Sequence, residues 1–256
     1  MPDWKQIRED FPALKRFRYL SSASGGPMPR PVYEKAIEYY RDVMEVGDSC
    51  WEKNLERREE IRGQAAGLIG SDPDEVEFIP STAAGMHMIT GLLADAGDVL
   101  ATPLEFPDST LPWLYNDADR IRWVQPDASG AVPAEKYRLA MTGETGVQRT
   151  SHVQFSNGFR QDVEELGKVK DDHFLVVNAT QSLGAFQVNV RSMAIDALCG
   201  NSYKWMLGGY GCGILYVSKG LSRGRTGPGV GWFAVKDKEQ FRNDSFEFVE
   251  GAGQFN

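Results

Sequence analysis

Residues 197–217 read ALCGNSYKWMLGGYGCGILYV, in which two apolar runs, ALCG and GILYV, flank a loop rich in glycine. Short apolar runs bounded by glycine are typical of buried β-strands. The loop contains Lys204, which follows the first of these strands and precedes Trp205. Because ligands of open α/β sheets bind beyond the carboxyl ends of the strands, Lys204 is the first candidate for functional chemistry.

Outward from this stretch, strand-like and helical patterns alternate from residue 75 onward. The strand-like runs are VEFI, DVLAT, IRWV, GVQRTSHV, FLVV, DALCG and GILYV. Two helical patterns precede them, Pro31 to Val46 and Trp51 to Ile69, and the second ends at Gly70, a typical stop residue. Strands alternating with helices predict an α/β protein with a largely parallel sheet covered by helices on both faces.

Composition excludes several classes of partner. The formal net charge of -8 disfavours nucleic acid, because binding to a phosphate backbone needs a basic face. No apolar stretch approaches the roughly 18 residues of a membrane span, so we expect a cytoplasmic protein without a membrane partner. The three cysteines, Cys50, Cys199 and Cys212, lack CxxC spacing, and we expect no metal site.

Two features of the predicted strand ends have both a functional and an ordinary interpretation. A lysine between a strand and an aromatic residue is partly desolvated, which suits Schiff-base chemistry, but Lys204 could also be a surface lysine beside a turn. Ser81 and Thr82 begin a helix after the strand VEFI. Free N–H groups there suit a phosphate, but these residues could equally be a plain N-cap.

Three further loops follow predicted strands and add polar or aromatic side chains. They are LEFPDSTLPW with Phe106, QFSNGFRQD with Asn157, and NATQSLG with Asn178 and Gln181. Each could be an ordinary loop, but together they place an aromatic ring, amides and an anion site around one lysine. This combination favours a binding site at the carboxyl edge of the sheet.

The motifs occur in an order that resembles the class V aminotransferase family, which includes cysteine desulfurases and isopenicillin N epimerase-like proteins. The resemblance extends from about Tyr19 to Trp232, and its most specific part is SYKW with the glycine turn. It implies the large domain of a fold-type I enzyme, with a mostly parallel seven-stranded sheet, and pyridoxal 5'-phosphate (PLP) as cofactor.

The resemblance also implies roles for individual residues around the cofactor ring. Lys204 matches the lysine that forms the Schiff base with PLP, and Phe106 matches the residue that stacks on the pyridine ring. Gln181 matches the residue that hydrogen-bonds the phenolic oxygen. Asn157 and Gln154 fall in the loop beside the ring.

Two other segments match the family residues that hold the phosphate of the cofactor. Ser81, Thr82 and Ala83 match the turn that holds the phosphate, and Asn201 and Tyr203 fall at positions that help to hold it. These five residues complete the predicted cofactor site.

The chain departs from the family pattern at three points. Ala84 stands where the family commonly has an acidic residue after the phosphate turn. Asn178 stands where the family has the aspartate that pairs with the pyridine nitrogen. The family also continues into a small C-terminal domain. We therefore expect an N-terminal arm at 1–20, a PLP-binding large domain at 21–232 and the start of a truncated small domain at 233–256.

These observations lead to one functional prediction and one alternative. The prediction is a homodimeric PLP-dependent enzyme that acts on a small amino acid, with the segment around Trp232 matching one that reaches the neighbouring subunit. We expect low turnover without the small domain. The alternative is a non-catalytic remnant that binds cofactor or a protein partner.

Overall fold

The computed structural model describes residues 2–256, which form one mixed sheet with helices on both faces. The α-helices are α1 (Trp4–Glu9), α2 (Arg30–Val46), α3 (Trp51–Ile69), α4 (Thr82–Leu92), α5 (Pro107–Asp117), α6 (Ala134–Ala140), α7 (Val163–Val169) and α8 (Lys219–Ser222). The strands are β1 (Val76–Ile79), β2 (Asp98–Ala101), β3 (Ile121–Trp123), β4 (Thr145–Ser151), β5 (Phe174–Asn178), β6 (Ala197–Asn201) and β7 (Gly213–Val217).

The sheet has seven strands in the order β1-β7-β6-β5-β4-β2-β3. Strand β7 is antiparallel to both neighbours, and every other paired neighbour is parallel. The predicted α/β class with a mostly parallel seven-stranded sheet is therefore confirmed. Strand β7 runs against the rest because residues 202–212 connect it to β6 without a crossover helix, and parallel neighbours need one.

Successive strand residues point to opposite faces of the sheet, which gives the molecule two apolar cores. On β6, Leu198 packs with one face while Ala197 and Cys199 pack with the other. The first core is covered by α3, α6 and α7, and the second by α4 and α5. Because β7 is antiparallel to both β1 and β6, β1 runs in the same direction as the parallel strands. All of these strands end along one edge of the sheet.

Gly146 lies where β4 bulges against β2, because Thr145 pairs with Asp98 and Val147 with Val99. A Cβ atom at Gly146 would come 1.0 Å from the carbonyl oxygen of Ala96, which is backbone and cannot move aside. The extra residue of this bulge must therefore be glycine.

We expect Gly146→Ala to lower the free energy of unfolding by about 3 kcal/mol, since relieving the overlap requires β2 and β4 to shift apart. Urea unfolding followed by circular dichroism measures the loss. Gly143→Ala is the matched control, because no atom lies within 4 Å of a Cβ at that position. Equal stabilities of the two variants would contradict this account of the bulge.

None of the helices within residues 2–256 combines the length and the apolar composition that crossing a lipid bilayer requires.

Candidate active site

A cavity opens at the edge where the parallel strands end, and it collects side chains from loops that are distant in sequence. Its lining consists of Thr82, Phe106, Asp108, Ser151, Val153, Phe155, Asn178, Thr180, Gln181, Asn201, Tyr203 and Lys204. Seven of the residues predicted from the sequence are therefore brought together here. Ser81, Ala83 and Asn157 are not part of this lining.

Lys204 projects its amine into the cavity between two aromatic rings. Its Nζ lies 5.9 Å from the ring centroid of Phe106 and 5.8 Å from that of Tyr203. Burial lowers the pKa of Lys204 below its ordinary value, and the negative charge of Asp108 opposes this shift. An amine with a lowered pKa is more often unprotonated at neutral pH, which is the form that attacks a carbonyl carbon.

The loop that carries Lys204 is held by the segment before α2. The backbone N–H of Gly26 donates to the carbonyl of Tyr203 at 2.8 Å. A Cβ at Gly26 would come 2.1 Å from the carbonyl oxygen of Lys204, so only glycine permits this close approach. Tyr203 is further stacked on Tyr210, with ring centroids 4.4 Å apart. These contacts fix the backbone from which the Lys204 side chain extends.

The N-terminus of α4 forms one wall of the cavity. Ser81 is the N-cap, and its Oγ accepts from the N–H of Ala84 at 3.2 Å, so the ordinary interpretation of this residue holds. The N–H groups of Thr82 and Ala83 belong to the first turn of the helix, where no intrahelical acceptor exists. Together with the helix dipole, they make this wall attractive to an anion.

Two buried side chains extend this wall. The hydroxyl of Thr82 lies 2.7 Å from the hydroxyl of Thr180, and Asn201 Nδ2 donates to Thr82 Oγ1 at 3.4 Å. Asn201 Oδ1 is buried and has no hydrogen-bond partner within the described part of the chain. A buried polar atom without a partner is costly, so this amide side chain is available to a ligand in the cavity.

Asn178 lies at the floor of the cavity, at the end of β5, and its amide orientation is determined by its neighbours. Its Oδ1 accepts from the backbone N–H of Thr180 at 2.9 Å, and its Nδ2 donates to Ser109 Oγ at 2.6 Å. Because a backbone N–H can only donate, the amide oxygen must be on that side. The second N–H of Nδ2 then has no acceptor among the described residues.

A buried ion pair lies close to this floor. Glu105 accepts from the N–H and the hydroxyl of Ser151 and from Gln154 Nε2, at 2.7, 2.5 and 2.8 Å. The guanidinium of Arg149 lies 3.4 Å from Glu105 and donates to the carbonyl of Ser109 at 2.8 Å. Both charged side chains are at most 1% exposed, so each charge depends on the other for compensation.

Gln181 and Asn157, both predicted as cofactor ligands, are placed differently. Gln181 lines the cavity, where its Nε2 donates to Ala23 O at 2.9 Å and its Oε1 accepts from the indole N–H of Trp205 at 2.7 Å. Asn157 is exposed, donates to Gly130 O and accepts from Phe159 N–H, both at 2.9 Å. Its side chain is therefore occupied in holding its own loop.

Sequence reasoning did not single out four polar or aromatic members of the lining, namely Asp108, Ser151, Phe155 and Thr180. Asp108 follows Phe106 by two residues, and Thr180 follows Asn178 by two, so their proximity to named candidates was a usable signal. Phe155 packs edge to face on Phe106, with centroids 5.1 Å apart. Within residues 2–256, no group of three or more His, Cys, Asp and Glu side chains is arranged to hold a metal ion.

The chain is similar in sequence to proteins of one known family. The family model for class V aminotransferases matches residues 18–232. An uncharacterized aminotransferase of Bacillus subtilis, YcbU, is 29% identical over 233 residues, which are 90% of this chain and 62% of the relative. A probable cysteine desulfurase of Methanothermobacter thermautotrophicus is 30% identical, over 84% of this chain and 56% of the relative. The chain thus spans about three fifths of the length of these relatives.

Solved structures share the fold. A cysteine desulfurase from Thermococcus onnurineus, in its apo form, superimposes with a TM-score of 0.86 at 24% identity, over 100% of this chain and 66% of its own. A variant of the protein C-DES, with glycine covalently linked to its PLP cofactor, gives a TM-score of 0.87 at 20% identity, over 100% of this chain and 69% of its own.

Proposed function

Because the chain belongs to the class V aminotransferase family, whose cofactor is PLP, we propose that it is a PLP-dependent enzyme acting on a small amino acid, with the cofactor linked to Nζ of Lys204. The observation that carries this proposal is the placement of the Lys204 amine, partly desolvated, in a cavity with an aromatic ring and a helix N-terminus. The comparisons do not favour the alternative of a non-catalytic remnant.

The residues of the cavity fit such a cofactor. Thr82 and Ala83 would hold the phosphate with free N–H groups, and Asn201 and Tyr203 lie beside that wall. Phe106, which is 41% exposed, has a ring face available for a planar aromatic ligand. When bound, PLP supplies a sink for the electron pair released at the α-carbon of an amino acid.

Lys204 and the cavity walls would perform the remaining tasks. The Lys204 amine, when free, would take the α-proton of the substrate and return it, as general base and then acid. The exposed rings of Phe106 and Phe155 pack together in the cavity lining, where they would limit access of water to the reacting atoms. The chain's own groups thus provide binding, orientation and proton transfer.

The attachment of PLP can be tested directly on the purified chain. We expect a visible absorbance band after addition of PLP, and borohydride reduction followed by peptide mass mapping should put the pyridoxyl group on the peptide that contains Lys204. Addition of a panel of small amino acids should change the band. A pyridoxyl group on another lysine, or on none, would overturn the assignment.

Asn178 gives a prediction about the electronics of the bound cofactor. We expect Asn178→Asp to raise PLP affinity and the rate of α-proton exchange by about tenfold each, because a carboxylate favours a protonated ring nitrogen and an amide does not. The new carboxylate can still accept from Thr180 N–H, and the Ser109 hydroxyl can reverse its role and donate to it.

Equilibrium titration with PLP and exchange of the substrate α-proton in deuterated water measure the two effects. Asn157→Asp is the matched control, because it makes the same chemical change outside the cavity lining. Equal values for the wild type and Asn178→Asp would mean that Asn178 does not face the ring nitrogen.

We also propose that the protein is a cytoplasmic homodimer. Helix α2 has no buried residue, and Tyr33, Ile37, Tyr40 and Met44 recur on it at helical spacing with exposed fractions of 57, 39, 68 and 77%. An apolar stripe of this kind is typical of a protein interface. Light scattering should give twice the mass of the chain, and Tyr40→Glu should reduce it to one. A monomeric mass for the wild type would rule the dimer out.

A further inference from the structure

Asp108 is the acidic residue that lines the cavity, and it is half-buried in the first turn of α5. Within residues 2–256, its carboxylate has neither a hydrogen-bond donor nor an ion-pair partner among the contacts of α5 and its neighbours. An ionised carboxylate in a partly desolvated place is unfavourable unless a positive charge is close.

Lys204 is the cation that faces the same cavity. Its amine lies over the rings of Phe106 and Tyr203, and in the described part of the chain no carboxylate lies within direct contact distance of it. The nearest candidate for a longer-range counter-charge in the cavity lining is Asp108. Of the twelve lining residues only Asp108, Tyr203 and Lys204 have side chains of a titratable type. Burial raises the pKa of Tyr203, so its hydroxyl is neutral at physiological pH.

The charged and titratable groups packed around the cavity do not provide another partner for either residue. Glu105 and Arg149 compensate each other behind the floor. Burial raises the pKa of the Cys199 thiol and lowers that of His152 to about 4, so both are neutral near pH 7. Tyr210 stacks on Tyr203 and is not part of the cavity lining.

We propose that Asp108 is the counter-ion of the Lys204 ammonium group, and that it controls how much of the Lys204 amine is free to react at neutral pH. Asp108 is thus a positioning residue that acts through Lys204. The two charges line the same cavity and each lacks another partner. An opposite charge across a partly desolvated cavity favours the ionised form of an amine. The charge of Asp108 favours the ammonium form of Lys204, whereas burial favours the neutral amine.

The pairing has a consequence for cofactor capture, and that consequence rests on the proposed function. Attack on an aldehyde requires the neutral amine. By favouring the ammonium form, Asp108 should slow capture of PLP at neutral pH and make it rise with pH. The pairing itself is a property of the chain without PLP and can be measured in its absence.

The experiment measures the protonation of Lys204 in the cofactor-free chain. Reductive methylation with formaldehyde and cyanoborohydride is run across pH, and mass spectrometry of the Lys204 peptide gives the midpoint of labelling. We expect Asp108→Asn to lower this midpoint by about one pH unit. Asp108→Glu, which keeps the charge, should restore it. Asp119→Asn, an exposed acid beyond the end of the same helix, controls for net charge.

An unchanged midpoint in Asp108→Asn, or an equal shift in Asp119→Asn, overturns the pairing. Circular dichroism verifies the fold of each variant, and Asp108→Ser is the second neutral variant if the first is unfolded. In a separate assay, Asp108→Asn should capture PLP about tenfold faster near pH 7. Absence of PLP capture in the wild-type chain overturns the proposed function, while the labelling midpoints still decide the pairing.

Discussion

Replacing Lys204 by alanine is expected to abolish the covalent attachment of PLP and to reduce α-proton exchange by a factor of about 10² to 10⁴, the usual contribution of a general base. We expect the cavity walls to keep their arrangement in this variant, since the Lys204 side chain makes no hydrogen bond to another described residue and Asp108 is only half-buried. PLP can therefore still enter, but it would be held by noncovalent contacts alone.

Borohydride reduction followed by intact-mass measurement tests this expectation, because only a covalent bond leaves the pyridoxyl mass on the protein. Lys168→Ala is the matched control, since Lys168 is exposed and forms only a surface ion pair with Glu165 at 3.2 Å. Labelling of Lys204→Ala at the level of the control would mean that another lysine carries the cofactor. Thermal melting should give similar midpoints for both variants.

The second large effect is expected from Glu105→Gln, which should lower the free energy of unfolding by about 3 to 5 kcal/mol. The substitution removes the acid that compensates Arg149, and Arg149 is fully buried. It also changes an acceptor used by Ser151 and Gln154, next to the cavity floor. A buried guanidinium without a counter-charge is far less favourable than a surface charge.

Urea unfolding measures the loss, and Glu135→Gln is the control. Glu135 pairs with Arg138 at 2.6 Å on the surface, and the loss of that solvent-screened pair should cost far less than the loss of the buried one. The double variant Glu105→Leu with Arg149→Met should recover part of the stability, because it removes both charges together. A similar small loss in the two single variants would mean that Arg149 is compensated by another group.

Strands, helices and their alternation could be predicted because they depend on short-range patterns. The apolar runs FLVV, ALCG and GILYV appear as β5, β6 and β7, and the second helical pattern ends at Ile69 before Gly70, which adopts the left-handed conformation. The direction of β7 could not be predicted from its run, because strand direction depends on the connection and not on apolar content.

Candidate site residues were predictable to the extent that they follow strands. Lys204 and Thr82 follow β6 and β1, and Asn178 is the last residue of β5; these three strands end at the same edge of the sheet. Asn157 shows the limit of this reasoning, because its loop is long enough for the side chain to turn away and bind Gly130. Asp108 shows the opposite case, a cavity residue that resembles an ordinary acid at a helix start.

The sequence by itself determined the α/β class, the family and the lysine on which the proposed chemistry depends, because each follows from patterns within a few residues. Only the tertiary structure decided which groups surround that lysine. Asn178 is oriented by Ser109, which is 69 residues away, and Gly26 packs against the carbonyl of Lys204. Asp108 and Lys204 share one cavity although no local pattern links them. Such contacts depend on how whole elements pack, since packing brings together atoms that the order of the chain keeps apart.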